Sequence, residues 1–487
     1  MRTIIGLEIH AELSTKTKMF CSCKNEFGQA PNTLVCPTCL GYVGTLPRVN
    51  EEAIRLAIKA GLAFDCDIRK SMKFDRKKYF YPDLTKGYQI TQQDEPFAEH
   101  GYLEIDSNGK LKKIRIQRIH VEEDTGKSTH LDEEGKTLLD YNRAGVPLIE
   151  IVSEPDIESS EEAKVFLEDL RERLKFIDVS DVKMEEGSLR CDVNINVVDD
   201  EKKLKHAIVE IKNLNSFRAV ERAINYEEER QRENLKNNIT STKETRRWDE
   251  ASMSTILMRK KDEENDYRFT VEADIPRLTL SDEFINDIKE SLPELPRQKK
   301  ERYISEYKLS DYDADILSRD KNLSKYFEEL ADSYGDATLI ASWILTETMR
   351  RLKEHEIDIT EIKLSNDNFT KLLDLIKENK VSNNSAKKIF REIFETNEDP
   401  EKVMKDLGLE QISDSSFLMD LVNKVIDDNP QSVEDYKAGK NRALGFLVGQ
   451  VMKQSKGQAN PQEANKMIAE ELSKRWEYYF QLQIRTN

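Results

Sequence analysis

Apolar and polar residues alternate without a break through Ile5-Gly6-Leu7-Glu8-Ile9-His10-Ala11-Glu12-Leu13, the apolar side chains taking the odd positions. A period of two marks a strand buried on one face. Its other face carries Glu8, His10 and Glu12, successive members standing about 7 Å apart at roughly 3.3 Å per residue. The same period returns in Leu189–Val197, with Arg190, Asp192, Asn194 and Asn196 on one face, and in Ala207–Lys212, where Ile208, Glu210 and Lys212 alternate with Ala207, Val209 and Ile211. In Val146–Val152, Glu150 stands among apolar neighbours and therefore needs a partner or a cation. Ile114-Arg115-Ile116 changes phase at Gln117-Arg118 before Ile119-His120-Val121, which predicts a bulge, and the segment ends in Glu122-Glu123-Asp124.

Helical spacing follows Asn50, a cap for residues 51–62, and follows Ser159 with Glu162, a capping box ahead of Ala163, Phe166, Leu167, Leu170 and Leu174. Helices of this kind cover one face of a sheet and leave the other as a polar floor holding Glu8, His10, Asp192 and Glu210. Ten of the 13 prolines and 12 of the 18 glycines lie at or before Pro296, so mixed α and β structure is expected first and helices afterwards. The expected domains are residues 1–293, 294–407 and 408–487.

Bulk properties narrow the classes. A length of 487 residues with 38% hydrophobic and 35% charged residues suits about three globular domains. No apolar stretch approaches the roughly 20 residues of a membrane helix, and Met1-Arg2-Thr3 runs straight into the first strand, so a cytoplasmic protein with no membrane partner is expected. The net charge of -17 argues against indiscriminate nucleic-acid binding. Between Lys437 and Asn460, however, Lys437, Lys440, Arg442, Lys453 and Lys456 occur with no acidic residue, and Gly445, Gly449 and Gly457 permit close approach of a partner backbone. That run is expected to contact nucleic acid.

Carboxylates and a histidine gathered on a sheet floor suit a hard cation such as Mg²⁺ bridging phosphates, because pooled carboxylates repel unless neutralised. Arg190 and Lys212 on the same faces can meet a phosphate or substrate. Basic and aromatic residues interleave through Lys73–Asp83, which includes Arg76 and Lys77; the stretch suits phosphates or a tRNA end, and equally an amphipathic edge strand. Thr245-Arg246-Arg247-Trp248 offers another arginine and aromatic pair, with Arg246 as the expected phosphate or substrate contact. Gly126-Lys127-Ser128 resembles the end of a P-loop, but Val121 stands where its first glycine belongs, leaving Lys127 as a loop cation able to approach a phosphate. Cys21-Ser22-Cys23 and Cys36-Pro37-Thr38-Cys39 are spaced for a structural four-thiolate Zn²⁺ site, while Cys66 and Cys191 read as buried thiols.

Several of these segments together resemble one family. They are Ile5–Leu13, Lys73–Arg76 with Tyr79–Asp83, Val182–Asp192, Leu214–Phe217, Thr245–Glu250 and Gly445–Gln450, and they resemble GatB, the B component of the bacterial tRNA-dependent amidotransferases. The resemblance implies an α+β chain: a cradle-like mixed-sheet domain with a kinase-like site, then an all-helical domain, then a helical YqeY-like tail that binds tRNA. It implies a carbon–nitrogen ligase that uses ATP and Mg²⁺ to phosphorylate Glu or Asp mischarged on tRNA(Gln) or tRNA(Asn), with ammonia forming the amide. Matched residue by residue, the metal site falls on Glu8, His10, Glu122, Glu123 and Glu150, and the catalytic set on Glu8, His10, Glu123 and Glu150; Asp192 and Glu210 lie nearby by alternation alone, as phosphate or substrate contacts. The cysteine quartet resembles the zinc site of some members. No glutaminase nucleophile is apparent, so an amidase (A) subunit and a small C subunit are expected to complete a heterotrimer. Tyr267–Asp274 departs from the family pattern, losing an aromatic residue and two prolines while keeping Glu272 and Asp274. A non-catalytic zinc-containing tRNA-binding scaffold is the alternative, and a metal-dependent phosphohydrolase a third reading.

Overall fold

The computed structural model describes residues 1–131, 134–239, 241–260, 267–411, 415–440, 442–455 and 458–485. They form two compact units, 1–298 and 299–487.

The first unit is built on a ten-stranded sheet. In chain order its strands are β1 (Arg2–Glu12), β2 (Asp67–Ile68), β3 (Ala98–Ser107), β4 (Lys110–Glu123), β5 (Pro147–Ser153), β6 (Leu189–Asp199), β7 (Leu204–Lys205), β8 (Val209–Leu214), β9 (Glu244–Asp249) and β10 (Ser254–Lys260). The order across the sheet is β10-β9-β8-β6-β1-β5-β4-β3-β2, with β7 paired to β6. The first strand is thus central, flanked by antiparallel β5 and β6. Strands β8 and β9 are parallel, and the helix α3 (Phe217–Lys236) makes the crossover that such a pair requires.

Alternation in β1 becomes burial. Ile5, Leu7, Ile9, Ala11 and Leu13 are each at most 1% exposed, and a fully buried aliphatic side chain contributes about 2 kcal/mol. They join one hydrophobic core with Ile149 and Ile151 of β5, Val193 and Ile195 of β6 and Ile211 of β8. Helices α1 (Glu51–Ala63), α2 (Ser160–Phe176) and α3 cover that face. Asn50 caps α1 by accepting from the Glu52 and Ala53 amides. At α2 only half of the expected box forms: Ser159 accepts from the Glu162 amide, but the Glu162 carboxylate turns to the Glu158 amide and to Lys112. The phase change in β4 is a bulge, since Arg118 pairs with Val152 while Ile116, two residues back, pairs with the adjacent Ser153. It lets Ile116, Ile119 and Val121 all reach the core.

The second unit is helical among its described residues and holds two apolar clusters. One runs from Tyr303 to Met404 and the other from Leu418 to Leu472. No helix of the described residues is long and apolar enough to cross a membrane.

Close packing in the first unit gives a direct test. A Cβ on Gly101 of β3 would overlap the Cys66 sulfur and the Phe64 carbonyl. Gly101→Ala should therefore cost about 2 kcal/mol in urea unfolding, with Cys66→Ala in the same chain recovering part of the loss. An unchanged unfolding midpoint for Gly101→Ala would contradict this packing.

Candidate functional site

The face of the sheet opposite the helices is polar, and strand register decides which side chains meet there. Across β1, His10 pairs with Glu150 on one side and Arg190 on the other, and Glu8 pairs with Asp192. Glu150 in turn pairs with His120, and Asn194 with Glu210. Paired residues share a face, so two groups form on opposite sides of the first strand.

The first group is His10, His120, Glu122 and Glu150. His10 Nε2 lies 3.5 Å from Glu122 Oε1 and 3.3 Å from Glu150 Oε2, and His120 Nε2 lies at the same two distances from Glu122 Oε2 and Glu150 Oε2. Burial opposes the charging of both histidines, but Glu150 and Glu122 outweigh it: His10 is raised and His120 is pushed up to about 9. Burial also works against ionised Glu150, yet the two histidines hold it well below the usual carboxylate range.

The second group is Glu8, Asp192 and Glu210, whose carboxylate oxygens lie within 4.8 Å of one another. Lys212 Nζ sits among them, 2.5 Å from Asp192 and 2.9 Å from Glu210. Asn194 donates to Glu8 at 2.8 Å and Thr245 to Glu210 at 2.9 Å. Burial first, then Glu150, raises Glu8. His10, Glu122 and Glu150 of the first group, and the whole of the second, are sets of donors able to hold a cation. Beyond them on the floor, burial pushes Glu12 up to about 7. Arg190 reaches Asp124 through Nη2 at 2.7 Å, and its Nε is buried with no hydrogen-bond partner among the described residues.

Strand parity rearranges the remaining candidates. Glu123 follows Glu122 in β4 and so takes the opposite face, where it pairs with Lys86 at 2.6 Å and accepts from the Ile90 amide; it joins neither group. His120, absent from the sequence-based set, takes its place. Its signal was present, because once the phase resets at the bulge, His120 and Glu122 alternate with Ile119 and Val121. Arg246 likewise pairs with core residue Ile211 and turns to Glu244, Thr255 and the buried Glu227. Its neighbour Arg247 pairs with Lys212 and shares the floor.

Arg76 is committed elsewhere: it makes a bidentate contact with the fully buried Glu272, reaches Asp274 and lies over the Tyr88 ring. The two acids kept in the divergent 267–274 segment thus tie it down, helped by Thr270–Val271 pairing with Asp75–Arg76. Lys77 sits over the Tyr267 ring. Lys127 is exposed in a two-stranded ribbon, Lys127–Leu131 with Lys136–Asp140, and joins neither group. In the second unit Lys440, Arg442 and Lys453 are exposed and Lys437 is half-buried, Lys440 pairing with Asp435 at 2.9 Å. Lys456 and Gly457 lie outside the described residues.

The four cysteines of the 21–39 insert gather with their sulfurs within 4.8 Å of one another. All are free thiols, and the Cys36 amide donates to Cys39 Sγ at 3.1 Å. The set is compatible with zinc, whose tetrahedral thiolate sites use this ligand spacing. Cys66 and Cys191 are buried free thiols.

Known proteins match nearly the whole chain in sequence. The model of the GatB/GatE catalytic domain matches residues 3–286, and that of the GatB domain matches residues 325–472. The B component of the aspartyl/glutamyl-tRNA(Asn/Gln) amidotransferase of Finegoldia magna is 56% identical over 472 residues, which covers 97% of this chain and 100% of its own. Its counterparts in Caldicellulosiruptor saccharolyticus and Clostridium tetani are 50% and 48% identical, each over 97% of this chain and 99% of their own. With the large sheet domain followed by helices, and matches along nearly its whole length, the chain belongs to the GatB family of these tRNA-dependent amidotransferases.

Proposed function

We propose that the chain performs the ATP-dependent activation step of such an amidotransferase, phosphorylating the side-chain carboxylate of Glu or Asp mischarged on tRNA(Gln) or tRNA(Asn). The observation that carries this reading is the floor of the sheet, where carboxylates and imidazoles form two donor groups on either side of one central strand. A side-chain carboxylate oxygen attacks the γ-phosphorus of ATP, the bond to the bridging oxygen breaks, and ADP leaves. Ammonia then attacks the acyl carbon, inorganic phosphate leaves, and a proton is lost from nitrogen. Activation is needed because a carboxylate is a poor electrophile, whereas an acyl phosphate has an electrophilic carbonyl and a good leaving group.

Glu8, Asp192 and Glu210 are an all-oxygen donor set, which suits Mg²⁺. His10, His120, Glu122 and Glu150 mix nitrogen with oxygen and suit a borderline ion such as Mn²⁺ as well. When bound, a cation here neutralises charge on the nucleotide phosphates. Among the chain's own groups, Arg190 Nε, without a hydrogen-bond partner among the described residues, and the guanidinium of Arg247 supply donors for phosphate oxygens, and Lys212 pairs with Asp192 and Glu210. This set takes His120 in and leaves Glu123 out.

In this reading the helix-backed sheet is the cradle and its open face the kinase-like site. Ammonia comes from an amidase (A) subunit, with a small C subunit completing a heterotrimer, and the tRNA substrate places the assembly in the cytoplasm. Residues 294–407 are then a helical domain and residues 408–487 a YqeY-like tail. In the tail Lys437, Lys440, Arg442 and Lys453 supply charge toward tRNA, and Gly445 and Gly449, with open space around them, permit close approach.

The first test is cation uptake. Because Glu150 and Glu122 raise His120 to about 9 against its burial, His120 holds a proton at neutral pH that a cation must displace. Binding should tighten as pH rises toward 9 and weaken below. Calorimetric titration with Mn²⁺ in buffers of different ionisation enthalpy should show release of about one proton or more per ion. His120→Ala should weaken uptake more than about tenfold while Glu123→Gln changes it less than about twofold. The reverse order would contradict the grouping.

The second test is product formation. With partner subunits, ATP, glutamine and Glu-tRNA(Gln), the wild-type chain should form Gln-tRNA(Gln), and His10→Ala or Glu150→Gln should lower the rate about 100-fold or more. Unimpaired variants would sink the site assignment. Binding of tRNA with no tRNA-stimulated ATP hydrolysis would instead favour the non-catalytic zinc-containing scaffold.

A further inference from the structure

Beside the cysteine quartet lies a charge that the proposed reaction does not use. Lys18 is fully buried, at 0% exposure. Its ammonium is 3.8 Å from Cys39 Sγ and 3.3 Å from the Tyr141 carbonyl, and among the described residues no carboxylate forms an ion pair with it. Isolated buried charge is costly in a medium that cannot solvate it. The backbone nevertheless fixes the residue in place: the Lys18 amide donates to the Cys23 carbonyl, and the next amide, of Met19, donates to the Gly145 carbonyl. Space around the stem is closed too, since a Cβ on Gly145 would contact both Lys18 Cδ and Cys39 Cβ, at 3.5 and 3.6 Å.

A divalent ion held by four thiolates carries two net negative charges. We infer that Lys18 is the buried counter-ion of the metal–thiolate centre, a positioning residue whose ammonium balances that charge and donates to the Cys39 sulfur. The inference rests on the reading of the quartet as a zinc site. Hydrogen bonds to coordinating atoms from outside the ligand set commonly change metal affinity about 10–100-fold. The dependence also runs the other way: without the metal the charged centre that the ammonium balances is gone, and the buried lysine keeps its desolvation cost.

The consequence is a reversal of sign, which simple packing of a lysine stem does not produce. Lys18→Met keeps the shape and removes the charge. In the zinc-loaded full-length chain it should speed loss of zinc to a chelator about tenfold and lower the thermal midpoint. In the zinc-stripped chain the same substitution should leave the midpoint equal or higher. A loss of stability of the same size in both forms, or unchanged zinc release, would overturn the inference. Should Lys18→Met fail to fold, the wild-type chain answers alone: Lys18 should resist an amine-acylating reagent while zinc is bound and gain reactivity at least as fast as zinc leaves, read by mass spectrometry. Reactivity independent of zinc would overturn it as well. A wild-type chain that takes up no zinc would instead remove the zinc reading on which the inference stands, and metal analysis of the untreated protein separates that outcome from the others.

Discussion

Everything in the first unit depends on how like charges are compensated on one face of one sheet. Glu8, Glu122, Glu150, Asp192 and Glu210 cannot all be ionised side by side in partial burial without opposing charge. The strands supply it in fixed register: His10 and His120 beside Glu122 and Glu150, Lys212 beside Asp192 and Glu210, and Asn194 as a donor to Glu8. These partners are in reach because the other face is anchored by core side chains at alternate positions. A slip of one residue in β1 would send Ile9 to water and His10 into the core, so core and site specify the same register.

The parity of β4 joins this floor to the cysteine insert. Glu122 faces the floor, while the next residue, Glu123, faces a cavity of about 100 Å³ that Cys21, Cys39 and Lys86 also line. Two adjacent carboxylates on one strand therefore serve two different neighbourhoods. The insert packs against the end of the strand that places Glu122, with Met19 bonded to Gly145 just ahead of β5, which carries Glu150.

Much of this is legible in the sequence, for reasons that differ by element. The first strand and Leu189–Val197 announce themselves by unbroken alternation, the bulge at Gln117 by a change of phase, and the quartet by spacing, because each is a local pattern. Residue type and strand parity give different groupings at some positions. Type groups Glu123 with Glu122 and prefers Arg246 to Arg247, although strand neighbours face opposite ways. Alternation after the bulge puts His120 on the polar face, and its register with Glu150 shows what it meets there. The role of Arg76 depends on Glu272, which is 196 residues away, and nothing local announces that pairing. Lys18 is invisible for a similar reason, as a lysine in a short polar stretch reads as solvated until the fold closes over it.

The central claim is that phosphoryl transfer takes place over the polar face of the first strand. It is tested most directly by supplying the assembled enzyme with γ-labelled ATP and Glu-tRNA(Gln), withholding every ammonia source, and trapping the activated side chain with hydroxylamine. The account predicts tRNA-dependent formation of the hydroxamate with matching release of labelled phosphate, falling about 100-fold or more in Glu8→Gln while tRNA binding and zinc content hold. Hydroxamate formation by Glu8→Gln at the wild-type rate would contradict it.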